Sequence, residues 1–173
     1  MVEVEHVDPP TVGVEYAGAP DPEAQLREHG AALAGAIAAA LAGWVDQVVR
    51  RVVAEQALVL TPATEQAISA AGAAARDEIG ASVAELLNTD LHAQRSTPLA
   101  VLRGAVAYPT VVLHDLGAAP VERDEFARRA FPADVFGLTP AAFADLGPAV
   151  HDAGVAWGAA KAFVHLRRHR SDT

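Results

Sequence analysis

Residues 21–57 read DPEAQLREHGAALAGAIAAALAGWVDQVVRRVVAEQA, and their spacing decides the fold class. Leu26, Leu33, Ile37, Leu41, Trp44, Val48 and Val52 recur at intervals of three, four or seven, which places them on one continuous face of an α-helix. Asp21 followed by Pro22 marks the start. An N-cap carboxylate accepts from an orphan amide of the first turn, and proline at the next position lacks only an N–H that would have no partner there. The expected helix runs from 22 to about 57.

The same pairing of a capping residue with proline recurs at Thr61-Pro62, Thr97-Pro98 and Thr139-Pro140, with a weaker version at Gly147-Pro148. It divides the chain into helices. A second long helix is expected from 61 to about 90, with Ile68, Ile79, Val83 and Leu86 on its buried side. The short LVLTP connection makes the two antiparallel neighbours. Ala31, Gly35, Ala39 and Gly43 in the first helix, and Ala67, Ala71 and Ala75 in the second, step by four. Small side chains let helix backbones approach closely, so these rows are expected to form the contact of a tight hairpin.

The third helix is expected from Pro98 to a stop at Gly117, with a bend near Tyr108. Pro109 cannot donate to the carbonyl of Ala105 and disfavours helical geometry in the preceding residue. A short charged helix at about 121–130 carries the pairs Asp124/Arg128 and Glu125/Arg129, and another short helix is expected at 140–146. The last helix spans about 148–169, with Val150, Trp157, Ala160 and Val164 as its buried seam. Four of the five phenylalanines lie between 126 and 143, so this connector supplies aromatic mass to the core or an exposed patch for a partner. Residues 1–20 alternate and then break at prolines and glycines, and are expected to form an extended acidic arm. The fold expected from these patterns is a single all-α domain over 21–173: a long helical hairpin, a Pro-kinked third helix and a C-terminal helix.

Composition narrows the function. With 173 residues, of which 51% are hydrophobic and 20% charged, the chain can bury one real core. Arginine outnumbers lysine by twelve to one and isoleucine occurs only three times, a bias expected of a GC-rich bacterial genome. The absence of cysteine excludes disulfides, thiolate metal sites and cysteine nucleophiles. The acidic MVEVEHVDPP start lacks the pattern of a secretory signal. The uncharged run at 31–45 falls short of the roughly 20 residues that span a bilayer. A cytoplasmic protein without a membrane association is therefore expected.

The net charge of −9 opposes nucleic-acid binding, which relies on cations displacing counterions from phosphates. HLRRHR at 165–170 is a local exception. It falls where the last helix ends, and cations there complement the helix dipole.

Catalytic and metal signatures are missing. Adjacent helical residues point about 100° apart, so His114 and Asp115 cannot form a dyad with each other. Glu-x-x-His occurs only at Glu3/His6, outside the helices, and no His-Glu-x-x-His is present. His165 and His169 share a face at a chelating spacing, but Arg167, Arg168 and Arg170 surround them and repel a cation. No phosphate-binding glycine loop and no Gly-x-Ser-x-Gly elbow occur. No cofactor and no metal are expected.

The leading expectation is a non-enzymatic interaction or regulatory module that self-associates or takes a protein partner through small-residue helix faces. The alternative is a helical small-ligand-binding protein or enzyme. Its pocket would lie between the kinked third helix and the last one, with Arg103, Tyr108, His114, Lys161 and His165 as polar groups.

Overall fold

The computed structural model describes residue 18, residues 20–91, residue 94 and residues 96–171. The expected arm at 1–20 lies almost wholly outside them. Helix α1 spans Pro22–Glu55 and α2 spans Pro62–Thr89; α3 (Thr97–Leu102), a 3-10 turn (Arg103–Val106) and α4 (Ala107–Asp115) follow. Next come α5 (Glu125–Ala130), a second 3-10 turn (Phe143–Leu146) and α6 (Pro148–Ser171). No strand occurs among the described residues, and the chain is all-α.

Helix α1 is the central element, packed against α2, α4 and α6. All seven residues of its apolar row are buried, and Val45, Val49 and Val53 widen the row. Asp21 caps α1 by accepting from the Glu23 amide at 3.1 Å, and Thr61 caps α2 by accepting from the Thr64 amide at 3.2 Å. Near the closed end of the hairpin, where residues 56–61 join the two helices, the Arg50 guanidinium spans Asp46 and Glu65, with its shortest contact at 2.6 Å to Glu65. The hydrogen bonds it donates to Glu65 and Asp46 raise the arginine's proton affinity, and the guanidinium holds the Glu65 carboxyl below the usual range. Being exposed, such pairs add little stability and chiefly fix register.

Close helix contact comes from a different row than spacing by four implied. A Cβ placed on Gly72 would lie 3.1 Å from Ala42 Cα, one on Gly80 would lie 3.3 Å from Ala38 Cβ, and one on Gly30 would lie 3.4 Å from the Leu87 carbonyl oxygen. The interface row in α1 is thus Gly30, Ala34, Ala38 and Ala42. Ala31, Gly35, Ala39 and Gly43 are exposed. The reason is phase: Gly35 follows Leu33 by two residues, or about 200°, and cannot share its face. In α2, Leu87 is buried where Leu86 was expected, and Leu86 and Ile79 are half-buried.

The third segment is not one α-helix, and it changes winding about one turn before the expected place. Thr97 and Pro98 are already helical, and Ser96 precedes them without a side-chain cap. Arg103–Val106 winds as a 3-10 turn, and Tyr108 remains helical within α4. Pro109 therefore occupies the first turn of α4, where an amide has no intrahelical acceptor to lose. Gly117, at φ 75°, ends α4, and the Ala118 amide donates to the Leu113 carbonyl at 3.0 Å. Gln56 ties this end to the end of α1: its amide group donates to Ala119 O and accepts from Ala119 N, both at 2.7 Å.

Thr139-Pro140 starts no helix. Thr139 instead donates its hydroxyl to Asp134 at 2.5 Å, and the weaker Gly147-Pro148 pair opens α6. The four phenylalanines divide: Phe136 is core, Phe131 and Phe143 are half-buried, and Phe126 is exposed. Phe143 explains Gly154, since a Cβ there would sit 2.6 Å from the ring.

Candidate functional site

Two features of the surface exceed what the fold requires. The first is the outward side of α1. Between His29 and Asp46 the helix carries no polar side chain, although Ala31, Ala32, Gly35, Ala39 and Gly43 are exposed. A Cβ added at Gly35 or Gly43 would meet nothing within 4 Å. Glycine inside a helix costs about 0.5–1 kcal/mol relative to alanine, and neither position has a neighbour that demands it. The helix holds an 18-residue window of mean hydropathy 1.6, long and apolar enough to cross a membrane, of which 44% is buried within the fold. Its apolar character is more than its inner face uses.

Helix α6 adds a second apolar row. Val155, Phe163 and Leu166 are 58%, 50% and 63% exposed. With the exposed Ala159 they recur at steps of four, four and three and share a face. The two helices pack antiparallel, with Trp157 beside Gly30 and an Arg168–Glu23 ion pair about two turns nearer the start of α1.

The second feature is a groove between the 3-10 turn of Arg103–Val106 and the 131–141 loop. Two adjoining cavities, of about 430 and 600 Å³, share Arg103, Phe131, Asp134 and Thr139 in their walls. The Arg103 guanidinium lies over the Phe131 ring, 5.2 Å from its centroid. Asp134, 6% exposed, organises the loop: its carboxylate accepts from Leu138 N at 2.7 Å, Thr139 N at 2.9 Å and the Thr139 hydroxyl. Arg123 braces the same loop by donating to the Phe131 carbonyl at 2.7 Å.

The five polar residues of the expected pocket do not converge. Tyr108 faces α2, where its hydroxyl donates to Glu78 at 2.6 Å; that bond, with a contribution from burial, pushes the phenol up to about 12. His114 is exposed and meets the edge of Phe136, with ring centroids 5.5 Å apart. Lys161 Nζ is buried 5.0 Å from the Trp157 ring centroid. His165 packs edge-on against His169 one turn away. Only Arg103 lies in the groove just described. The segment from Thr97 to Asp115 packs chiefly on α2 and α6 on α1, so these elements form no shared wall of any extent. Among the described residues, no three His, Asp or Glu side chains cluster in a way that could hold a metal ion.

Phe131, Asp134 and Thr139 were not legible as a site. Their one sequence signal is an aspartate four and five residues ahead of Leu138 and Thr139, a spacing that lets a carboxylate cap a loop's amides. The free face of α1 did have a signal, in the phase of Gly35 and Gly43 against Leu33 and Leu41. No family model, curated protein or solved structure matches this chain.

Proposed function

We propose that this chain is a non-enzymatic helical interaction module that self-associates through the outward face of α1, with the apolar row of α6 contributing. The observation that carries the reading is the pair Gly35 and Gly43. Both weaken the isolated helix, and both are exposed with open space around them. The close approach of a second helix would account for them, as the close approach of Ala42 accounts for Gly72 within the chain. Helix axes pack 8–10 Å apart depending on the side chains between them, and alanine and glycine allow the short end of that range.

A second copy is the partner that this face suits. It is uncharged and self-similar along its length, and closed two-fold pairing is the commonest arrangement for such a surface. The exposed apolar residues of α6 would extend the contact toward the area of about 1,000 Å² or more that a stable interface buries.

The test is the double variant Gly35→Arg/Gly43→Arg. Both positions have room for a side chain, so the fold should persist by circular dichroism. Light scattering after size exclusion should then show the parent chain as an assembly and the variant as a monomer. An assembled variant, or a monomeric parent, contradicts the proposal.

A further inference from the structure

We infer that the groove between the Arg103–Val106 turn and the 131–141 loop binds a small organic acid, a single carboxylate carried on an apolar chain or ring. The argument starts with Arg103. A guanidinium has five N–H donors, and among the described residues Arg103 forms no hydrogen bond and no ion pair. Its Nε is sealed from solvent without an acceptor. A buried unsatisfied donor is costly, and the cation is stacked over Phe131 with only Nε sealed, which leaves its terminal N–H groups for a ligand in the groove. The carboxylate in the wall of the smaller cavity, Asp134, is already occupied by the Leu138 amide and by the amide and hydroxyl of Thr139.

The cavity walls specify the rest of the ligand. The smaller chamber is lined by Val106, Ala107, Val111, Phe131 and Pro132 around the single arginine, and its volume of about 430 Å³ lies in the range of small-molecule sites. One guanidinium matches one carboxylate through paired N–H donors. A phosphate dianion fits less well, because Asp134 adds negative charge to the wall and Arg123 is engaged by the Phe131 carbonyl. Ligands with an apolar body gain further from the wall on the side of α4, where Val111 is exposed.

The site differs from the proposed assembly face in both residues and elements, so either can fail without the other. The test uses the full chain, ¹⁵N-labelled, titrated with octanoate and separately with 1-octanol, while the amide signals of Gly104, Ala107, Ala133 and Thr139 are followed. Octanoate should produce saturable shifts confined to these amides, and 1-octanol should bind at least tenfold more weakly. Arg103→Gln should weaken octanoate at least tenfold and leave 1-octanol unchanged. Val111→Glu, at an exposed position on the rim, should weaken octanoate by repulsion more than it weakens 1-octanol if the arginine variant fails to fold. Equal binding of acid and alcohol, no saturable shift with octanoate, or full binding by both variants overturns the inference.

Discussion

Replacing Gly72 and Gly35 separately by alanine distinguishes a glycine that the fold uses from one that it does not. Each change removes the flexibility of a helical glycine, which by itself stabilises by about 0.5–1 kcal/mol. At Gly35 nothing lies within 4 Å of the new methyl, so the gain should appear in full. At Gly72 the methyl would lie 3.1 Å from Ala42 Cα, 3.2 Å from its carbonyl oxygen and 3.3 Å from its Cβ. Two of these three atoms are backbone of a 34-residue helix buried along much of its length, and cannot swing aside. Overpacking of this kind costs about 1–3 kcal/mol. Subtracting the propensity gain leaves Gly72→Ala destabilised by up to about 2.5 kcal/mol. The propensity gain is common to both, so the two variants should differ by the overpacking cost of about 1–3 kcal/mol, or roughly 2–12 °C in Tm for a chain of this size. Urea unfolding followed by far-UV circular dichroism, at concentrations where the chain is monomeric, reads the difference. If Gly72→Ala gains as much stability as Gly35→Ala, the account of the α1–α2 contact is refuted.

Three further expectations follow from local geometry. Ala57 sits just past α1 at φ 52°, a left-handed conformation that Gly117 adopts at the end of α4; Ala57→Gly should raise stability by up to about 1 kcal/mol and Gly117→Ala should lower it by a similar amount, both read from denaturant midpoints. The Tyr108 phenol is pushed up to about 12, so the neutral form is favoured by folding: its contribution is complete below pH 10 and is lost as pH rises through 12. Absorbance titration of Tyr16→Phe, which leaves Tyr108 as the sole tyrosine, should show the late midpoint, and Glu78→Ala should return it toward 10. Asp134→Ala leaves the Leu138 and Thr139 amides without their acceptor and should cost about 2–3 kcal/mol in thermal or urea unfolding.

The all-α class was legible because one signal repeats. Apolar spacing and caps at Asp21-Pro22 and Thr61-Pro62 agree over the two longest helices, and both begin where the caps place them. The same dipeptide pattern misled at Thr139, because a buried aspartate five residues earlier competes for its hydroxyl. Only the folded loop brings the two together. Pro109 does not break the helix at Tyr108: proline is tolerated in a first turn, and α4 starts two residues before it, after the tightened Arg103–Val106 turn.

The candidate site was less legible than the fold. Arg103 was singled out, but Tyr108, His114, Lys161 and His165 lie with other partners, since periodicity gives a residue's face and not what lies opposite it. Spacing by four alone assigns the small-residue row of α1 inward. Its offset from Leu33 and Leu41 places it outward, and that shift turns a packing detail into the surface on which the proposed function rests.

Sedimentation equilibrium of the unaltered chain across micromolar concentrations is the most direct test of that proposal. The account predicts a mass near twice the 17.9 kDa of one chain, falling to a single chain on dilution and in Gly35→Arg/Gly43→Arg. A mass of one chain at every concentration would contradict it.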